Sequence, residues 1–257
     1  RRVMSLRTRL GNLGNVLDED ASQMRILLLE SPVLLNGEYR ILRERMGDSA
    51  AEIDCTFEVQ GGPDALKRAI QRIRKEAEMA VRGGHVHLIL TDEHISDERA
   101  GIPMILAAGA VHSHLVQEGL RTFTSLNVRA ADCLDVHAFA VLIGVGATTV
   151  NAYLAQASII DRHARGLFGD RPVTDCVNRF KEAIDQGLLK VMSKMGISLI
   201  SSYRGGYNFE AVGLSRALVA DLFPGMVSRI SGIGLPGLQT KVLELHAQAY
   251  WQGSNVL

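Results

Sequence analysis

The sequence predicts an α/β fold: a parallel sheet of alternating βα units, wound as an incomplete (β/α) barrel. Two observations predict the class. Apolar runs of strand length alternate with stretches of helical periodicity five times through the central part of the chain. Most of those runs, Val86 to Leu90 for example, are continuous rather than in-and-out, the pattern of strands covered on both faces. A third observation bears on the winding. Six or seven strands over about 230 residues suit an incomplete barrel better than the alternative, an open doubly wound sheet.

The elements follow in order. Residues 1–24 read as a linker or extended segment, broken by Gly11, Asn12, Gly14 and Asn15. The body then runs from 25 to 250, leaving 251–257 as a tail. "RILLLESPVL" is an apolar run stopped by a proline, and "AEIDCTFEV" alternates with period two, so both predict strands. Leu66, Ile70, Ile73, Ala77 and Ala80 recur at helical spacing, which predicts a helix over 64–82 behind Pro63. Gly83 and Gly84 end it, and Val86 to Leu90 form the next strand. Pro103 opens a second helix, "TFTSLNVR" is a strand, "DCLDVHAFAVLIG" is a helix with Asp132 near its N-cap, and "ATTVNAYL" is a strand. A polar, basic loop, "DRHARGLFGDRP", leads to a helix over 174–195 with Val177, Phe180, Ile184, Leu188, Val191 and Met195 as its apolar stripe. Gly196 should cap that helix, "ISLISSY" should be a strand, and helices are expected near 213–222 and 236–250.

Composition excludes several function classes. Acidic and basic residues balance at 28 each, so no net field draws the chain to nucleic acid or anionic lipid. Aromatic residues are 5% of the chain, too few for a base-stacking platform. No apolar run is long enough to cross a bilayer, so no membrane is expected as a partner. The three cysteines, Cys55, Cys133 and Cys176, are odd in number and far apart, which argues against a disulfide framework and suits a cytoplasmic location. The opening "RRVMSLRTRLGNLG" has no apolar core of a secretory signal, and it reads as a piece of a longer chain.

In parallel α/β folds, sites form at the carboxyl ends of strands. Three such ends supply Asp92, then Asn127 with Arg129, then Asn151, together with Thr91, Glu93, His94 and Tyr153. They could line a polar cleft for a small anionic metabolite, although polar βα loops are also the default at a surface. His85, His87, His94, His112, His114 and His137 invite a metal, but His112 and His114 fall on different sides of one helix and no metal-ligand spacing joins the set. No metal site is therefore expected. "GIGLPG" (232–237) matches a dinucleotide fingerprint only formally, because Glu244 comes too soon and no acid follows it. Lys194 reads as a charge at a helix end, and Arg204 and Glu210 as a pair or as contacts to a neighbouring domain.

One stretch carries a resemblance. "LLKVMSKMGISLISSYRGGYNFEAVGLS" followed by "FPGMVSRISGIGL" is similar to the central domain of glutamate synthase large subunits. "SLRTRLGNLGNVL", "LESPVL", "IDCTF", "LILTD", "IPMILAAGAVHSHL" and "GVGATTVNAYLA" resemble that family in the same order, over about residues 5–250. Two departures stand out. Asn151-Ala152-Tyr153-Leu154 replaces the family's Asn-Pro-Tyr-Leu, and "RGGYNFE" replaces "RGAQIFE".

The resemblance implies a barrel related to the FMN-linked oxidoreductases. It also implies a parent enzyme that makes two L-glutamates from L-glutamine and 2-oxoglutarate, using FMN and an iron–sulfur cluster. The partners implied are the glutaminase and FMN domains of the same chain, and a small electron-donating subunit or ferredoxin. None of the family's catalytic or cofactor motifs has a counterpart in this segment, so no catalytic or cofactor-binding residue is expected in it. Asp92, Asn127, Arg129, Asn151, Lys194, Arg204 and Glu210 remain as polar-cleft or interdomain candidates, and Arg204 doubles as a candidate anchor for a dicarboxylate.

Overall fold

The computed structural model describes residues 3–15, 17, 18 and 21–250, so the expected tail at 251–257 lies outside the described residues. In chain order, β1 (Thr8–Leu10) and β2 (Leu27–Leu29) form an antiparallel ribbon. Helix α1 (Asn36–Met46) leads to β3 (Ala50–Asp54) and β4 (Thr56–Glu58). Then come α2 (Ala65–Arg82), β5 (His87–Thr91), β6 (Arg99–Gly101) and α3 (Met104–Gln117). β7 (Ser125–Arg129), α4 (Val136–Gly144) and β8 (Thr149–Asn151) complete the alternating part. Five helices follow: α5 (Tyr153–Ala164), α6 (Val173–Met195), α7 (Ile200–Tyr203), α8 (Arg216–Leu222) and α9 (Leu235–Tyr250).

The sheet is parallel and runs β3-β5-β7-β8, in the order of the chain and without a reversal. A doubly wound sheet reverses at its switch point; a barrel does not. Right-handed crossovers then place every connecting helix on one side. Accordingly α2, α3 and α4 share one core with Ile53, Leu88, Leu90, Leu126, Val128 and Val150. Beyond β8, Val33 bridges Val150 in parallel, so the winding continues by one more strand-like segment. The α/β class and the barrel-type winding thus agree with the expectation.

Register decides what the other face carries. Ala50, His87 and Ser125 stand side by side; the next row is Glu52, Ile89, Asn127 and Thr149; the last is Asp54, Thr91, Arg129 and Asn151. Side chains alternate faces along each strand, so these rows form a largely polar face opposite the apolar one. A small core of Leu10, Leu34, Leu42, Met46, Ala50 and Ile89, with Leu27, Leu29 and Tyr39 against it, packs α1 and the ribbon onto that face. The central strands are therefore covered on both faces, as the continuous runs suggest, although the second face is largely polar. The alternation was hidden because Ile89 interrupts the polar rows.

Several boundaries are legible in side-chain chemistry. Gly196 is left-handed (φ 71°), and the amides of Gly196 and Ile197 turn back onto Met192 and Ser193 carbonyls, ending α6 as expected. The N-cap of α4 is Asp135, whose carboxylate accepts from Ala138 N at 2.9 Å; Asp132 instead accepts from Met104 N and caps α3. Gln239 on α9 accepts from Leu66 N and donates to Gly62 O, which seats α9 against the start of α2.

Other expectations are corrected. "ISLISSY" is not a strand: after a single bridge between Ser5 and Leu199 it forms the short helix α7. "RILLLESPVL" supplies β2 to the ribbon rather than a strand to the main sheet. Helices α1 and α5 stand where no helix was expected. Within 1–24, β1 is paired and Leu10 is fully buried, so that part of the segment belongs to the fold. Of the expected α6 stripe, Ile184 and Leu188 are buried, whereas Met195 is exposed.

Candidate functional site

Three of the predicted residues meet at the carboxyl end of the sheet. β5 delivers Asp92 and Glu93, β7 delivers Arg129, and β8 delivers Asn151 with Tyr153 just beyond it. Because Arg129 and Asn151 are partners in register, the guanidinium reaches Asn151 Oδ1 at 2.8 Å. It also pairs with Glu93. The ring of Tyr39 lies 4.4 Å from the guanidinium carbon and that of Tyr153 4.9 Å, so the cation is held against two π faces. Asn151 donates in turn to Leu34 O at 2.9 Å and to Asn36 Oδ1 at 3.0 Å, which ties the strand end to the start of α1.

Asp92 is buried and accepts from the Ala131 amide at 2.9 and 3.1 Å. Burial pushes its carboxyl up to about 6, with the nearby Asp132 adding to the rise and the bonds from Ala131 and the Tyr153 hydroxyl opposing it. Burial and the Asp92 charge push the Tyr153 phenol upward as well. The cluster therefore contains a carboxyl that titrates near neutrality beside a protonated phenol and a fixed cation. It can exchange a proton and hold a polar partner at the strand ends. No side chain in it is an activated nucleophile, and the thiols of Cys55 and Cys133 are buried and held strongly towards the protonated form by desolvation.

Asn127 does not join this cluster. It lies one row deeper, donating to Leu88 O and Ser125 Oγ (both 3.1 Å) and accepting from Thr149 Oγ1 at 2.7 Å. His87 continues that chain of bonds through Ser125 Oγ at 2.7 Å and, by burial, is kept neutral with its pKa down to about 4. Asn127 thus cross-links β5, β7 and β8 inside the sheet.

The remaining candidates lie elsewhere. Lys194 is exposed in the last turn of α6, as a helix-end charge should be. Glu210 pairs with Arg229 at 3.0 Å rather than with Arg204. Arg204 follows α7, and its Nε and Nη2 are buried without a partner. His112 and His114 do point apart, His112 to Arg121 and His114 to Glu78. Among the described residues Glu78, His114 and Glu118 lie close enough for a shared ion, but the Arg82 guanidinium bonds both carboxylates, at 2.8 and 3.1 Å, and already answers their charge. Tyr39 and Asn36 were missed because they belong to α1, whose polar sequence gave no helical signal. Arg121 was missed because it sits in a short turn ahead of β7.

Comparison with known proteins gives a consistent picture. The family model for the glutamate synthase central domain matches residues 1–215. The large chain of glutamate synthase [NADPH] from Azospirillum brasilense is 69% identical over 250 residues, covering 97% of this chain and 16% of that one. The ferredoxin-dependent glutamate synthase of Pyropia yezoensis is 35% identical, covering 96% and 17%. The large chain of glutamate synthase [NADPH] from Bacillus subtilis is 36% identical, covering 96% and 16%. The chain thus spans about a sixth of the length of these curated relatives. A sulfite-bound flavocytochrome b2 variant superposes with a TM-score of 0.41 at 13% identity, over 59% of this chain and 39% of that one, a likeness too loose to carry fold or function.

Proposed function

The chain belongs to the glutamate synthase central-domain family, and we propose that it acts as a rigid, non-catalytic spacer inside a glutamate synthase large chain. In that role it holds a glutaminase domain and an FMN domain of the same polypeptide at a fixed separation, along the route by which ammonia passes between them. The parent reaction is the reductive amination of 2-oxoglutarate with nitrogen from L-glutamine, giving two L-glutamates. Its flavin and iron–sulfur cluster are supplied by other segments, and its electrons by a small subunit or ferredoxin. Relatives of both the NADPH and the ferredoxin-dependent kind match the segment with similar coverage, which fits a part that does not itself meet the electron donor.

The observation that carries this reading is the state of the strand-end residues. In a working barrel that end presents unengaged groups to a ligand. Here Arg129 is bonded to Glu93 and Asn151 and flanked by two tyrosines, and Asn151 is bonded to the chain around α1. A flavin phosphate needs free amides or an unengaged cation. The carboxylates of Asp92 and Glu93 beside an already engaged Arg129 do not fit that group.

The test is direct. Purified as the 257-residue chain, the protein should show no glutamine hydrolysis above buffer and no flavin absorbance retained after gel filtration with excess FMN. Stoichiometric flavin retention, or glutamate released from glutamine, would sink the spacer reading. A second reading, a free-standing domain that binds a small anionic metabolite at the strand ends, would instead be marked by a saturable rise in Tm with 2-oxoglutarate that Arg129→Met removes.

A further inference from the structure

A second group of cations lies at the opposite, amino-terminal edge of the sheet, and it is arranged differently. Its hub is the ring of His112 on α3. Arg121 donates from Nε to His112 Nδ1 at 3.0 Å, and its other nitrogens bond only neutral oxygens: Thr124 O (2.6 Å), Gly146 O (2.8 Å) and Thr148 Oγ1 (3.4 Å). A Cβ placed on Gly146 would stand 2.3 Å from the His112 ring, so the backbone there closes onto the imidazole as only glycine (φ 123°) allows. Since Nδ1 accepts from Arg121, the ring's proton sits on Nε2. That nitrogen faces the 204–207 segment, 3.2 Å from where a Cβ on Gly205 would be.

The 204–207 segment brings more donors to the same ring. Tyr207 packs edge-on against His112, with centroids 6.4 Å apart, and is the one non-glycine residue of positive φ (47°) among the described residues. Its hydroxyl is buried without a partner, as are Nε and Nη2 of Arg204. Both guanidiniums act on His112, and Arg204 acts on Arg121; desolvation and this mutual repulsion hold Arg121 down to about 10 and His112 to about 3. Among the described residues no carboxylate pairs with Arg121 or Arg204. Unpaired buried N–H donors are rare, and a buried charge without a counter-charge costs several kcal/mol as a rule.

We propose that the cluster where α3, the turn at Arg121 and the Arg204–Tyr207 segment meet is a binding site for one compact monoanion, a halide or a carboxylate, held by Arg204 Nε and Nη2 with the Tyr207 hydroxyl as a further donor. Arg121 supplies charge through the hub, because each of its three nitrogens already has a partner. The strained backbone at Tyr207 is the structural cost of presenting that hydroxyl inward. The anion can be a free ion from solution, or the carboxylate of an acidic side chain from a part of the parent polypeptide outside these residues.

Two arms separate the sources. In the first, the 257-residue chain is melted at fixed ionic strength while sodium chloride or sodium formate replaces the sodium salt of a bulky sulfonate. A free ion as ligand predicts a saturable rise in Tm, about 3 °C for each tenfold step above the dissociation constant, and a halved or lost rise in Arg204→Met but not in Arg129→Met. The second arm uses the intact large chain and so rests on the proposed role as a segment of it. If the ligand is the parent's own carboxylate, Arg204→Met lowers the Tm of the intact chain by several degrees, while the isolated chain shows no ion dependence. The proposal is overturned if neither salt moves the Tm of the isolated chain and Arg204→Met leaves both chains as stable as before or more so. The salt titration of the unaltered chain needs no variant, so a failure of Arg204→Met to fold leaves the first arm intact.

Discussion

Arg129 and Arg204 are similar on paper. Each is a partly buried guanidinium with at least one side-chain nitrogen that has no partner, and each lies at one end of the same sheet. Their surroundings differ in kind. Arg129 is wrapped by a carboxylate, an amide oxygen and two aromatic faces. Arg204 acts on a second guanidinium and on a neutral imidazole that packs against Tyr207, and among the described residues no acid pairs with it. Burial of a cation is tolerated where counter-charge and donors' partners are built in. The first site has its counter-charge, Glu93, although Arg129 Nε stays without a partner; among the described residues the second has no counter-charge. The two ends thus differ in counter-charge: the strand-end cation is paired with Glu93, and the cations around His112 meet only neutral groups among the described residues.

Arg129→Met breaks the comparison most sharply. It removes the Glu93 pair, the Asn151 bond and both aromatic contacts, and leaves Glu93 without its cation. A loss of about 3 kcal/mol is expected by urea unfolding, from charged hydrogen bonds and cation–π terms of known size. Arg204→Met in the same sulfonate buffer should cost under about 0.5 kcal/mol or stabilise, because it deletes an unanswered charge. Equal losses at the two positions would mean that the two arginines are held in the same way after all.

Asn127→Leu tests the row between those ends. Leucine has as many side-chain heavy atoms as asparagine but removes the side-chain donor to Leu88 O and the acceptor of the Thr149 hydroxyl inside the sheet, while Ser125 Oγ keeps only His87. The expected loss is about 2 kcal/mol by urea unfolding, with Tm falling and the m-value unchanged. A neutral result would show that the polar face is wetter than its burial suggests.

Much of this was readable in the chain and some of it was not. Helices α2 and α6 were plain because Leu66, Ile70 and Ile73, or Ile184 and Leu188, repeat at three and four over many turns. Helix α1 buries only Leu42 and Met46 in a polar sequence, so its period is too weak to see. Helix α5 starts two residues after β8, and its "YLAQASII" reads on as strand. Helix α7 is four residues, with strand-prone Ile200 and Tyr203 around two serines, and it follows the capped turn at Gly196 and the bridge at Leu199. At the site, Asp92, Arg129 and Asn151 could be placed together because strand ends converge in any parallel sheet. Their partners Tyr39 and Asn36 could not, since they come from an element without a signal. Arg204 was legible as a cation of interest, but its lack of a counter-charge is a property of three segments meeting at His112 and has no trace in local sequence.

The smallest effect separates the two ends by the sign of their pH dependence. Asp92 has its folded pKa raised from 3.8 to about 6, so the folded state holds the proton more tightly. Stability contributed there is present below about pH 4 and is lost as pH rises to about 6. His112 is the reverse: its pKa falls from 6.5 to about 3, under burial and the charges of Arg121 and Arg204, so the unfolded state holds the proton more tightly. Stability contributed there is present above about pH 6.5 and is lost as pH falls towards 3. Asp92→Asn keeps an oxygen for the Ala131 amide and should gain on the order of 1 kcal/mol at pH 7.5 relative to pH 4.5, compared with the unaltered chain at each pH. His112→Gln should change the difference in the opposite direction. A compact anion on Arg204 would ease protonation of His112, so saturating formate should shrink the His112 effect and leave the Asp92 effect untouched. If formate alters both equally, it is acting on the chain as a whole and not at the His112 hub.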